Sequence, residues 1–393
     1  MHQRALFLKH VAQTSAFPLA IEIDRSEGVY LYDTNGKQYL DLISGIGVSS
    51  IGHRHPDVVE AVKNQTDKYL HTMVYGEYVL SPQVELASLL AQHLPDPLES
   101  VYFVNSGTEA TEGAMKLAKR FTGRHEIIAC KRAYHGSTQG AASLMNPTDF
   151  TQAFYPLLPG VHHIEFNCEF CLRKITENTA AVIVETVQGE SGIKPPRPGY
   201  LKALRDRCTE VGALLILDEI QAGYGRTGSL FAFSQHEIVP DILLLAKGMG
   251  GGMPIGAFIS SKEIMWSLTD NPILGHITTF GGHPVNCAAG LATLKLLLNE
   301  RLWEGVPQKE ARFRERLVHP AIKEIRSAGL MMGVEVSSFD QLKGIIDYCL
   351  EHGLIVDWFL FNDYTMRIAP PLIITDEQID WACSIILEAL DRV

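Results

Sequence analysis

No run of apolar residues in this chain is long enough to cross a bilayer without charges, and Met1–His10 lacks the apolar core and small-residue cleavage site of a secretory leader. A soluble chain with no membrane partner is expected. Basic residues are in the minority: 34 Lys and Arg stand against 45 Asp and Glu, a formal net charge of −11. No basic cluster stands out either, which argues against a nucleic-acid-binding face. Cysteine is sparse, with seven scattered over 393 positions. An odd, dispersed set in a long chain predicts reduced thiols and a cytoplasmic setting. Cys168-Glu-Phe-Cys171 has redox or zinc-like spacing, but no second such pair accompanies it, so it is read as incidental and no metal is expected. Internal repeats and low-complexity tracts are lacking as well.

What is present is ordinary globular material, 46% hydrophobic and 20% charged, in a chain long enough for a large core and more than one domain. Near the start, Gly28–Asp33 and Lys37–Leu42 form a hairpin turning at Asn35-Gly36. The middle alternates apolar runs with amphipathic segments. Strands are predicted at Ser100–Val104, Glu126–Cys130, Ala180–Glu185, Leu214–Asp218, Ile242–Ala246 and Ala257–Ser260. Helices are predicted at Pro56–Tyr69, Ser81–Leu94, Gly107–Phe121 and Tyr200–Val211. Continuous apolar strands separated by helices imply a mostly parallel sheet covered on both faces. A long helix from Pro284, strands at Leu330–Val336 and Thr365–Ala369, and helices at Phe339–His352 and Asp376–Leu390 describe a smaller α/β unit.

Ligands of open α/β sheets bind at the carboxyl ends of the strands, where several polar motifs of this chain fall. Lys247 ends the run Asp241–Ala246 and enters the glycine-rich Gly248–Pro254. Burial at such a place disfavours the ammonium and frees the amine as a nucleophile, although a strand-end lysine can also reach out to solvent. Ser106-Gly107-Thr108 opens a helix after a strand, an arrangement that suits a phosphate or an ordinary helix cap. Asp218, at an apolar strand terminus, calls for a partner such as a protonated ring nitrogen, or else a buried hydrogen-bond set. Tyr134 offers an aromatic face or simply core. Thr278-Thr279 begins another hydroxyl- and glycine-rich turn. Arg367, inside an apolar strand, suits a carboxylate fork, with Glu190 as a candidate internal partner.

Each motif alone is weak, but their order is specific. It resembles the class III aminotransferases, pyridoxal-phosphate enzymes of fold type I. The match runs from Ser44-Gly45 and Gly52–Pro56 through Ser106–Ala110 and Leu217–Gly228 to Ala246-Lys247-Gly248 and Arg367–Pro371. The resemblance implies a large domain with a mostly parallel seven-stranded sheet and a smaller α/β domain built from both chain ends. The expected division is an N-terminal segment at 1–48, a cofactor-binding domain at 49–285 and a C-terminal domain at 286–393.

By the same resemblance the cofactor is pyridoxal 5'-phosphate. Lys247 would join it as a Schiff base and later shuttle a proton. Asp218 would face the pyridine nitrogen, Gln221 would bond the ring oxygen, and Ile220 and Tyr134 would sandwich the ring. Ser106, Gly107 and Thr108 would cradle the phosphate. Thr279 would reach the phosphate of a neighbouring subunit, which implies a homodimer with a shared site. Arg367 would receive a substrate carboxylate and Glu190 would pair with it as a switch. Tyr75 lies where the family often puts a substrate-side aromatic.

The implied activity moves an amino group from an ω-amino or α-amino donor to a 2-oxo acid such as 2-oxoglutarate. A same-fold aminomutase or decarboxylase is the alternative, and a non-catalytic scaffold a more remote one. Two departures affect the donor. Acetylornithine-type members usually carry arginine where Ser137 stands, and ornithine-type members a tyrosine near Ala16. The segment Val356–Asn362 is bulky enough to narrow the pocket.

Overall fold

The computed structural model describes residues 3–146 and 148–392. Its centre is a seven-stranded sheet. Across the sheet the strands run Ser100–Val104, Gly256–Ser260, Ile242–Leu245, Leu214–Asp218, Thr179–Glu185, Glu126–Cys130 and Val161–Ile164. Gly256–Ser260 is antiparallel to both neighbours, and the remaining pairings are parallel.

The two-faced burial expected from continuous apolar runs is explicit in the core. Alternate strand residues point to opposite sides. Ile128, Val182, Val184, Leu215, Leu217, Leu243 and Leu245 join one apolar cluster, and Ile127, Ala129, Ile183, Ile216, Ile242 and Leu244 join another. Helix Gly107–Thr122 supplies Ala110, Ala114 and Leu117 to the second cluster, and helix Tyr200–Val211 supplies Leu201, Leu204 and Cys208 to the first. The edge strand Val161–Ile164 was not predicted. Only Ile164 is buried in it and His162 is exposed, so the run lacks an apolar signal.

The N-terminal strands Ile23–Glu27, Tyr30–Asp33 and Gln38–Asp41 form an antiparallel meander. Asp33 Oδ1 closes the predicted Asn35-Gly36 turn by accepting from the N–H groups of Asn35 and Lys37, both at 2.9 Å. Gln38–Asp41 then pairs in parallel with Leu354–Ile355, so the two chain ends share a sheet. A third, antiparallel sheet holds Glu324–Ser327, Met332–Glu335, Asn362–Ile368 and Asp357–Phe359. The closing helix Asp376–Leu390 starts at a capping box between Thr375 and Gln378.

Among the described residues no helix is long and apolar enough to cross a membrane. One thiol expectation is corrected. Cys168 and Cys171 are joined in a disulfide, because a 3-10 turn over Glu169–Lys174 brings their Cα atoms to 5.3 Å. The other five cysteines are free and buried.

Candidate active site

The strands Thr179–Glu185 and Leu214–Asp218 end side by side, with Glu185 in register with Asp218. Beyond them opens a cavity of about 490 Å³. Ser106, Gly107, Thr108, Tyr134, Glu190, Asp218, Ile220, Gln221 and Lys247 all line it.

Lys247 follows the strand Ile242–Leu245 and starts a tight 3-10 turn, Lys247–Gly250, with φ of +46°. Left-handed backbone is costly for a side chain with a Cβ and concentrates at functional sites. Burial lowers the pKa of this amine from its ordinary value, and the nearby charge of Arg367 adds to the effect, against opposition from Glu190, Asp218 and Glu185.

Asp218 is buried and anchored at both oxygens. Oδ1 accepts from the Ile220 N–H at 2.9 Å, and Oδ2 lies 2.7 Å from His135 Nδ1. An ionised carboxylate only accepts, so Nδ1 carries the shared proton. His135 Nε2 is buried with no partner. Burial alone would lower the pKa of this imidazole, but the hydrogen bond to Asp218 and the charges of Asp218 and Glu185 hold it above the ordinary value. Glu185 accepts from the N–H groups of Tyr134 at 3.1 Å and Gly189 at 2.8 Å. Burial pushes its carboxyl up to about 7.

The cradle is a helix start. Ser106 caps Gly107–Thr122 by accepting from the Glu109 N–H at 3.3 Å, leaving its own O–H free to donate. The first N–H groups of a helix have no partner within it and attract anions. Thr138 donates to Glu112 at 2.6 Å and sits 2.8 Å from the Thr108 hydroxyl. Its one proton being committed, Thr138 accepts from Thr108. Thr108 therefore offers an anion its N–H rather than its O–H. Glycine is required here for space. A Cβ on Gly107 would meet Ile220 Cδ1 at 2.8 Å, and one on Gly136 would meet Thr108 Oγ1 at 2.2 Å.

A second chamber of about 820 Å³ adjoins the first and shares Tyr134, Glu190 and Lys247 with it. Arg367 lies on its wall, in the antiparallel strand Asn362–Ile368. Nη1 and Nη2 of Arg367 donate to the two oxygens of Glu190 at 3.0 and 2.9 Å. Both residues are buried, 2% and 6% exposed. Burial alone would raise the Glu190 carboxyl, but Arg367 and the Leu360 N–H hold it below its usual range. Gln221 Nε2 reaches the same carboxylate at 3.4 Å. Trp358 and Leu360, from the segment expected to narrow the pocket, do line this chamber.

Two predicted residues stand apart. Tyr75 borders a separate cleft of about 240 Å³, lined also by Thr278 and by Val101, Tyr102 and Phe103 of the strand Ser100–Val104. Thr279 is exposed and outside the cavity of its own chain. Four residues around the site were given no role by sequence reasoning: His135, Glu185, Thr138 and Asp357. The strand-end position of Glu185 was a usable signal for it, equal to that of Asp218.

A cavity lined by an anion cradle, an anchored carboxylate and a buried amine fits pyridoxal phosphate, and the glycines keep that space open. The comparisons agree. The profile of the family described as "Aminotransferase class-III" matches residues 11–390. The acetylornithine aminotransferase of Methanopyrus kandleri is 40% identical over 387 residues, covering 97% of this chain and 96% of that one. That of Archaeoglobus fulgidus is 39% identical over 380 residues, covering 96% and 98%. Among solved structures, the ornithine aminotransferase of Toxoplasma gondii superposes with a TM-score of 0.91 at 32% identity, covering 99% of this chain and 94% of that one. An (S)-enantioselective omega-transaminase from Thermomicrobium roseum gives 0.92 at 30% identity, covering 99% and 97%. The chain therefore belongs to the class III aminotransferases, the pyridoxal-phosphate-dependent transaminases of fold type I.

Proposed function

We propose that this enzyme draws its amino group from a primary amine at the ω-end of its donor and delivers it to a 2-oxo acid such as 2-oxoglutarate. The observation that carries this reading is the shut Arg367–Glu190 pair. With the guanidinium fork occupied, the carboxylate beside a reacting α-amino group has no vacant seat there. The other distal cation of the second chamber, Lys343, is held by Asp347 at 2.5 Å. Relatives named for acetylornithine and ornithine, donors that carry an ω-amine, agree with it. Ser137 stands where acetylornithine-type members carry arginine, so that particular donor is not carried over.

Pyridoxal phosphate, when bound, supplies the electron sink for charge that develops on the substrate carbon. In this reading Lys247 Nζ takes and returns the proton at that carbon. Asp218, braced by His135, keeps a proton on the ring nitrogen. Gln221 bonds the ring oxygen, Tyr134 and Ile220 hold the ring faces, and Ser106, Gly107 and Thr108 hold the phosphate. Glu190 releases Arg367 when the carboxylate of the 2-oxo acid arrives. Thr279 completes the phosphate site of a second copy, so the enzyme works as a homodimer. Five of the seven cysteines are free against one local Cys168–Cys171 disulfide, and on that balance we assign the enzyme to the cytoplasm.

The test is a panel of amines and amino acids added to the holoenzyme, read by the loss of the cofactor's visible band. Rapid bleaching by ω-amines, recovery on adding 2-oxoglutarate, and no band in Lys247→Ala are expected. Bleaching by α-amino acids in preference to ω-amines sinks the donor assignment.

A further inference from the structure

Arg367 has a second carboxylate. Its strand pairs antiparallel with Asp357–Phe359, and in that register Asp357 stands across from Arg367. Asp357 Oδ1 lies 3.1 Å from Arg367 Nε, an ion pair out of line for a hydrogen bond, and neither atom has another hydrogen-bond partner. The guanidinium also lies 4.5 Å from the centre of the Phe359 ring. Glu190 and Asp357 therefore hold different edges of one cation. Glu190 takes the Nη1 and Nη2 edge that a substrate carboxylate needs, and Asp357 takes Nε, which the substrate does not need. Burial lifts the Asp357 carboxyl to about 6, with Arg367 opposing.

This arrangement bears on how a switch can turn. Were Glu190 the sole counter-ion, its departure would leave a buried arginine without a charge partner, a strongly disfavoured state. We propose that Asp357 is a positioning residue for Arg367: a resident counter-ion that keeps the guanidinium paired and its Nη edge turned to the chamber while Glu190 gives way to the carboxylate of the 2-oxo acid. The inference rests on the reading of Glu190 and Arg367 as a switch. Asp357 repels Glu190 in the shut state and an incoming carboxylate in the loaded state alike. The two end states are thus affected equally, and its benefit falls on the passage between them. Its signature is the rate of 2-oxo acid capture rather than the turnover rate at saturation.

Single-turnover half-reactions of the holoenzyme, followed by cofactor absorbance, test this with Asp357→Asn and Asp357→Glu. Asn keeps a polar side chain of the same shape but removes the charge, and Glu keeps the charge but changes the length. Asp357→Asn is expected to lower the second-order rate constant for 2-oxoglutarate about tenfold, with saturating turnover changed much less and the amine half-reaction slowed at least about fivefold less. Asp357→Glu should recover most of that loss. A structural role would slow both half-reactions together and would favour Asn over Glu. Equal slowing, an unchanged rate in Asn, or a Glu variant no better than Asn overturns the proposal. Glu190→Gln separates the two levels. If it alters neither half-reaction, the switch reading falls and this inference with it. If it shifts donor preference while Asp357→Asn changes nothing, only the inference falls.

Discussion

Arg367 and Glu190 meet fork to fork, Nη1 to one oxygen at 3.0 Å and Nη2 to the other at 2.9 Å, and the Leu360 N–H donates to the same carboxylate at 3.0 Å. The pair joins two units of the chain that are remote in sequence. Glu190 comes from the turn after the central strand Thr179–Glu185, and Arg367 from the C-terminal antiparallel sheet. With Gln221 Nε2 at 3.4 Å this carboxylate is held by four donors and resists displacement, so in the proposed switch Glu190 must exchange its partners for others.

Glu190→Gln should loosen this lock. The amide keeps one acceptor for Arg367 but turns an N–H toward the other nitrogen. The ratio of second-order rate constants, α-amino acid over ω-amine, is expected to rise by about tenfold, equivalent to about 1.4 kcal/mol of transition-state preference. Stopped-flow bleaching with glutamate and with a set of ω-amines measures it. An unchanged ratio means that the lock does not govern donor choice.

His135 and Asp218 give a pH-dependent contribution whose sign is fixed by the direction of the histidine shift. The folded pKa of His135 lies above its ordinary value of 6.5. The protonated ring is thus favoured in the folded state. Its stabilising contribution is complete below the unfolded value and fades as pH rises through the raised folded value. His135→Asn should therefore lower the melting temperature more at pH 6 than at pH 9. The loss at low pH is expected to be about 1–3 kcal/mol, since Asp218 keeps only its Ile220 donor. Thermal melts of the cofactor-free variant and wild type across that range decide the matter.

The architecture was legible where burial is two-sided. Leu214–Asp218 and Glu126–Cys130 announce themselves as apolar runs, and their observed bounds coincide with the predicted ones. The antiparallel direction of Gly256–Ser260 was not legible, because a strand buried on both faces reads the same in either direction. At the site, Lys247, Asp218 and the Gly107 helix start stand out because each ends or follows an apolar run. His135 carried no such mark: its role depends on Asp218, 83 positions away, arriving at 2.7 Å. Asp357 was hidden for a similar reason. Val356–Asn362 reads as bulk until the hairpin sets Asp357 opposite Arg367.

Gly136 is expected to tolerate no side chain. Its φ is +127°, and a Cβ would come within 2.8 Å of the Thr108 Cα, which is backbone and cannot rotate aside. Gly136→Ala should cost about 1–3 kcal/mol from backbone strain alone and should also push Thr108 out of the phosphate cradle. Cofactor retention on dialysis, read by absorbance, is expected to fall about tenfold or more. Gly28→Ala is the control, having φ of +58° and nothing within 4 Å of the added Cβ. It should lose stability but keep the cofactor.

Arg226 is the largest test of what holds the chain ends to the centre. It is 1% exposed and lies within ion-pair distance of no carboxylate among the described residues. Its guanidinium donates instead to the carbonyls of Leu330, at 3.1 Å, and Pro370, and to the Ser50 hydroxyl at 3.3 Å. Leu330 N–H returns a bond to the Arg226 carbonyl at 3.0 Å, and Leu372 N–H bonds the Ser50 carbonyl at 2.7 Å. One planar group thus satisfies acceptors from three distant segments. Arg226→Ala would leave buried carbonyls unsatisfied and open a cavity, and is expected to cost about 3–5 kcal/mol. Arg226→Lys should recover less than half of that, since a single ammonium cannot span acceptors arranged for a fork. Denaturant midpoints of the three proteins measure both effects, and a lysine variant as stable as wild type would show that the fork geometry is immaterial.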